Sequence, residues 1–138
     1  MTYLDDLLRD LVDRGGSDLH LLDGVPPKLR VHGALEAAAD APLDVAPLVL
    51  PLLDERQRAL FDADGEADLA HDVAGVGRFR VNVFRHHGGV GAVLRLVPRD
   101  VPTLESLSIP AEVERFTRIR QGLVLVTEIG RASCRERV

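Results

Sequence analysis

Lysine, tryptophan and cysteine are almost missing from this sequence of 138 residues: Lys28 and Cys134 each stand alone and tryptophan is absent. A lone cysteine cannot form an internal disulfide. Aromatic residues make up only 4% of the chain, and without tryptophan the usual lining of a flavin or haem pocket is lacking. No stretch approaches the roughly 18 uninterrupted apolar residues of a membrane span. The N-terminus places Asp5 and Asp6 where a signal peptide would carry positive charge, so no secretion and no direct membrane insertion are expected. Lys and Arg total 17 against 22 Asp and Glu, a formal charge of −5, and no block of like charge occurs. Phosphate backbones are bound by clustered Lys and Arg, so nucleic acid is not an expected partner. What the chain does have is 46% hydrophobic residues, enough for one compact domain at this length and too few residues for two.

Apolar residues at Leu4, Leu7, Leu8, Leu11 and Val12 recur at helical spacing, predicting a first helix from Tyr3 to Arg14 that Gly15-Gly16 ends. Ser17–Leu22 and Lys28–His32 alternate as short strands, joined through turns at Asp23-Gly24 and Pro26-Pro27. Gly33 allows a tight turn into a brief strand around Leu35, and the Ala- and Pro-rich stretch to Ala46 reads as a surface loop. Two helices are predicted next, over 45–53 and 54–62, the second capped by Asp54 with Leu60 and Phe61 facing inward.

Ala67–Val73, Arg78–Arg85 and Gly91–Val97 read as an antiparallel meander with turns at Gly75-Val76-Gly77 and Gly88-Gly89. In the middle strand Phe79, Val81 and Val83 alternate with Arg78, Arg80 and Asn82, and the phase is expected to slip at Phe84. One face therefore packs while the other displays guanidinium and amide groups. Pro98 and Pro102 bracket a connector, Thr103 begins a capping-box pattern, and a helix is expected over 111–117. Gly122–Thr127 reads as a buried strand. Glu128–Val138 breaks composition and pattern; it matches the in-frame translation of a common sequencing adapter and is set aside from fold reasoning.

Five segments occur in one order: Gly15–Leu21, Pro26-Pro27 with Arg30–Gly33, Arg78–Asn82, Ala92–Pro98 and Gly122–Thr127. The set resembles the N-terminal region of the secretion ATPases of type IV pili and type II secretion, most closely the retraction type, over essentially all of residues 1–127. The resemblance implies an α+β PAS-like domain, an antiparallel sheet with flanking helices over 1–100, then a connector and helix over 101–121. It also implies that 122–127 is the first strand of a truncated RecA-like motor. In the parent protein it implies ATP and Mg²⁺, neighbouring subunits of a homo-hexameric ring, and a pilus inner-membrane platform protein as partners. The parent would work in the cytoplasm at the inner face of the membrane, the domain moving against a neighbouring motor and sensing nucleotide.

A phosphate-cradling loop needs glycines, a lysine and a Ser or Thr; no Gly-x-x-x-x-Gly-Lys-Ser/Thr run occurs and Lys28 follows Pro27, so hydrolysis by the chain alone is not expected. The resemblance does point to Arg80 and Arg95 as nucleotide-binding residues, a role that suits the permanently charged, fork-like guanidinium. The blander reading is that both solvate a sheet face. His86-His87 lacks a ligand cluster at metal spacing, so no metal is expected. Asp18 and His20 share a strand face without a nucleophile beside them, and Asp18 reads as holding a loop or a neighbouring turn. Two alternatives stay open: an assembly or secretion ATPase of the PilB or GspE type, and a stand-alone PAS-like binding module without a motor.

Overall fold

The computed structural model describes residues 2–99 and 102–125 and divides into two compact units between Arg99 and Asp100. The first unit begins with α1 (Tyr3–Asp13). Its start is a reciprocal cap: the Thr2 hydroxyl accepts the Asp5 N–H at 3.2 Å and the Asp5 carboxylate accepts the Thr2 N–H at 2.8 Å. Leu4, Leu7, Leu8 and Leu11 are buried along one stripe, as their spacing dictates. Gly15 takes φ +65° to turn the chain back, and Gly16 opens the first strand.

Six strands follow: β1 (Gly16–Leu22), β2 (Lys28–Val31), β3 (Ala34–Ala37), β4 (Glu66–Val73), β5 (Gly77–His86) and β6 (Gly89–Val97). They form one antiparallel sheet in the order β3-β2-β1-β6-β5-β4. The two expected hairpin sets are both present, and the pairing of β1 with β6 joins them. His32 and Gly33, at φ +48° and +86°, make the β2–β3 turn, the left-handed pair that suits the twist of a two-residue hairpin. Between β3 and β4 lie α2 (Ala46–Val49), a 3₁₀ turn (Leu50–Leu52) and α3 (Glu55–Asp64), the last capped by Asp54 as expected.

One face of the sheet carries the core. Leu19, Leu21, Leu29, Phe79, Val81, Val83, Ala92 and Leu94 pack there with the apolar sides of α1, α2 and α3. Two details depart from the sequence reading. Leu60 is 44% exposed while Phe61 is 2% exposed, because neighbours on a helix point about 100° apart and only one can face the sheet. Phe84 does not slip phase: β5 keeps continuous register with both neighbours, so Phe84 shares the face of Arg80 and Asn82.

The Ala- and Pro-rich stretch is also more than a surface loop. The Asp23 carboxylate accepts the N–H of Val45 at 2.6 Å through Oδ1 and that of Val90 at 2.7 Å through Oδ2. Val45 is fully buried as a result. Asp23 thus ties the end of the stretch to the start of β6.

The second unit contains a turn in which the Thr103 hydroxyl accepts the Ser106 N–H at 3.1 Å, and a 3₁₀ helix over Ala111–Arg118 in place of the expected α-helix. Among the described residues Gly122–Leu125 pairs with no strand, and Leu123, Val124 and Leu125 are exposed, in place of the expected buried strand; Val126, Thr127 and the tail Glu128–Val138 lie outside the described residues. Among the described residues no helix is long and apolar enough to cross a membrane.

Candidate functional site

All the helices of the first unit cover one sheet face, so the other presents its side chains outward. Strand parity decides which they are. In the row crossing the centre of the sheet, Arg80 on β5 is paired directly with Arg95 on β6, Arg95 with Asp18 on β1, and Asp18 with Arg30 on β2. The next row holds Asp68, Asn82, Val93, His20 and Lys28. Asp68, Arg80, Asn82, Val93 and Arg95 line a shallow depression of about 190 Å³.

Two guanidinium groups directly opposite each other on neighbouring strands repel. Each is compensated by a different acid. Asp18, only 3% exposed, accepts the Arg95 Nε–H at 2.7 Å and the Ser17 hydroxyl at 2.7 Å, and lies 3.6 Å from Arg30 Nε. Arg80 reaches Asp68 through Nη2 at 3.5 Å, a long contact at the surface. Arg95 is therefore fixed at its inner nitrogen with its side chain 69% exposed, whereas Arg80 is loosely held by its tip.

Burial works against the charged form of Asp18, but the hydrogen bonds from Arg95 and Ser17 and the Arg95 charge outweigh it and hold the carboxyl below its usual range. His20 moves down as well: burial disfavours its cation and Arg30 adds repulsion, with Asp18 pulling the other way. His20 Nε2 is buried with no hydrogen-bond partner among the described residues. The face is thus a mixed field, with cationic tips outward and an anionic anchor beneath.

The site residues Arg80 and Arg95 come together as direct cross-strand partners. The expectation for Asp18 is corrected: among the described residues its carboxylate meets Arg95, Arg30 and the Ser17 hydroxyl, not a loop or turn, while the loop-holding role falls to Asp23. Arg30 was missed, although the alternation of Lys28, Arg30 and His32 placed it on a polar face. The far end of the face is apolar. Phe84 lies across Gly91 against Leu22, where an added Cβ would come within 2.7 Å of the ring. His86 ends β5 and His87 lies in the hairpin turn, where His86 Nδ1 accepts the Gly88 N–H at 3.1 Å.

No family model matches the chain, but single proteins do. It is 39% identical over 127 residues to the type IV pilus retraction ATPase PilT of Pseudomonas aeruginosa, covering 90% of this chain and 37% of that protein. It is 37% identical over 124 residues to the type IV pilus ATPase PilU of the same organism, covering 88% and 32%. The crystal structure of the pilus retraction motor PilT with bound ADP superposes with a TM-score of 0.74 at 31% identity, over 86% of this chain and 36% of that one. The chain spans about a third of the length of the relatives it matches. With the α+β antiparallel sheet, the flanking helices and 37–39% identity over about nine-tenths of its length, the chain belongs to the PilT-type pilus ATPases, as an N-terminal segment of one.

Proposed function

We propose that this chain is the moving N-terminal domain of a type IV pilus retraction ATPase, which works at the cytoplasmic face of the inner membrane. In this reading the open sheet face packs on the motor domain of a neighbouring subunit in a homo-hexameric ring. Arg80 and Arg95 then reach phosphate oxygens of ATP held with Mg²⁺ by that motor, and the movement drives pilin removal through a membrane platform protein. The observation that carries the reading is the cross-strand pair Arg80 and Arg95 on the uncovered face of a fold similar to PilT with bound ADP.

The donors present fit a phosphate group. Arg95 is held at Nε with its side chain 69% exposed, Arg80 needs only to leave a 3.5 Å contact with Asp68, and Asn82 lines the same depression. Mg²⁺-bound ATP would supply the phosphoryl-transfer chemistry. The arginines would bind and orient its oxygens and offset negative charge as it develops.

Two experiments test this. In the source organism, deletion of the gene is expected to abolish twitching while pili remain on the surface. Cells without pili would overturn the retraction reading in favour of assembly. In the full-length protein that carries this chain, Arg80→Ala or Arg95→Ala is expected to lower ATP turnover by roughly 10³-fold or more. Wild-type turnover in both variants would leave these arginines as solvated surface groups.

A further inference from the structure

Arg95 is exposed, yet its inner nitrogen ends on one of the most buried polar groups of the fold. A surface arginine of this length ordinarily samples many rotamers, and fixing it costs side-chain entropy. Here that cost is met before any ligand arrives. Asp18 sits beneath the face, 3% exposed, and takes Nε of Arg95 at 2.7 Å, while the Arg95 side chain stays 69% exposed.

Asp18 is itself held. The Ser17 hydroxyl donates to its other oxygen at 2.7 Å, and the Arg30 Nε lies 3.6 Å from that same oxygen. Arg30 is in turn tied by Nη1 to the Gly33 carbonyl at 3.1 Å. The carboxylate is therefore oriented from two sides and is not free to follow Arg95 as it moves. Among the described residues Arg80 has no such anchor: the acid it meets, Asp68, is exposed and touches it at the tip.

We propose that Asp18 is a positioning residue for phosphate recognition: it fixes the Arg95 guanidinium through Nε and leaves both terminal amino groups aimed at the ligand. This rests on the nucleotide role given above to Arg95. Asp18 touches no ligand and acts through Arg95. A group that only neutralised charge would weaken anion binding, because a carboxylate beside the site repels phosphate. A positioning group instead aids the step in which donor geometry matters.

The test is ATP turnover by the full-length protein that carries this chain, with thermal melting of each variant measured alongside. Asp18→Asn keeps the side-chain shape and removes the charge. It is expected to lower kcat roughly 10- to 100-fold, with KM for ATP unchanged or lower because a repelling charge is gone. In the Arg95→Ala background the same substitution is expected to change kcat no further. Wild-type kcat in Asp18→Asn overturns the proposal, as do losses that multiply in the double variant or a raised KM at unchanged kcat. Arg95→Ala with wild-type kcat overturns instead the reading on which the proposal rests.

Should Asp18→Asn fail to fold, Arg95→Lys decides. Lysine keeps the charge, but its ammonium cannot both rest on Asp18 and offer a planar pair of outward donors. A kcat as low as that of Arg95→Ala supports the proposal, and a wild-type kcat overturns it.

Discussion

Gly15 and Gly16 stand side by side, and different physics requires each. A Cβ on Gly15 would meet nothing within 4 Å, but the residue sits at φ +65°, where any L side chain is strained. Gly16 has ordinary φ, yet a Cβ there would lie 2.5 Å from Leu11 Cδ1 and 2.9 Å from the Arg30 carbonyl oxygen. A leucine tip can swing aside; a strand carbonyl cannot. Gly15→Ala is expected to cost about 1 kcal/mol and Gly16→Ala about 1–3 kcal/mol, read as shifts in the urea midpoint. Equal losses would mean that the close passage of β1 beneath α1 adds nothing. His20 gives a second residue-scale prediction. Its folded pKa lies below the ordinary 6.5, so below pH 6.5 the unfolded chain takes up a proton that the folded one refuses. Stability is therefore expected to fall as pH drops through 6.5 towards the lower folded value, and His20→Gln to flatten that part of the profile. A variant profile as steep as the wild-type one would remove His20 as the cause. Asp18 acts lower: its contribution is complete above 3.8 and is lost as pH falls through its depressed folded value.

At the scale of the element, α3 shows how far periodicity carries. Its start was legible because Asp54 followed by Gln57 is a capping signature, and both reciprocal bonds are present, at 2.7 and 2.9 Å. Its inward face was not, because α3 is mostly polar and buries only Phe61. With so weak a stripe, adjacent Leu60 and Phe61 looked equivalent. The Phe61 ring is closed from outside by the Arg85 guanidinium, 5.0 Å from its centroid, and Arg85 also reaches Asp62 at 3.2 Å. Phe61→Ala is accordingly expected to cost about 3–5 kcal/mol, while Leu60→Ala stays within about 0.5 kcal/mol. Chemical denaturation of both variants checks this, and comparable losses would contradict the one-sided packing. The same limit explains Phe84. An aromatic residue next to Val83 looks like a break in alternation, but the ring is accommodated on the polar side because Gly91 across the strand pair leaves room.

The order of the sheet lies beyond what local pattern can convey. Alternation identified the strands and their hairpins, but nothing within β1 or β6 alone says that they pair, since that contact joins residues 77 positions apart in the case of Asp18 and Arg95. The candidate site depends on that pairing. Arg80 and Arg95 could be placed on neighbouring strands from the meander, whereas the anchor beneath Arg95 emerges only when β1 closes against β6. The closure also builds the core: every buried hydrophobic side chain among the described residues falls between Leu4 and Leu94. The first unit thus has a core of its own, with the caps of α1 and α3 and the Asp23 latch all inside it. A polypeptide of residues 1–99 is therefore expected to unfold in a single cooperative transition, with near- and far-ultraviolet circular dichroism changing together. Within it, Gly89→Ala should bear on that cooperativity: Gly89 lies at φ +137° and an added Cβ would collide with the Asp23 carboxylate. Displacing that carboxylate frees the Val45 and Val90 N–H groups at once, so the loss should exceed the roughly 1 kcal/mol of backbone strain alone. Separate transitions for the two spectral regions in the unsubstituted polypeptide would show that residues 1–99 do not fold as one unit.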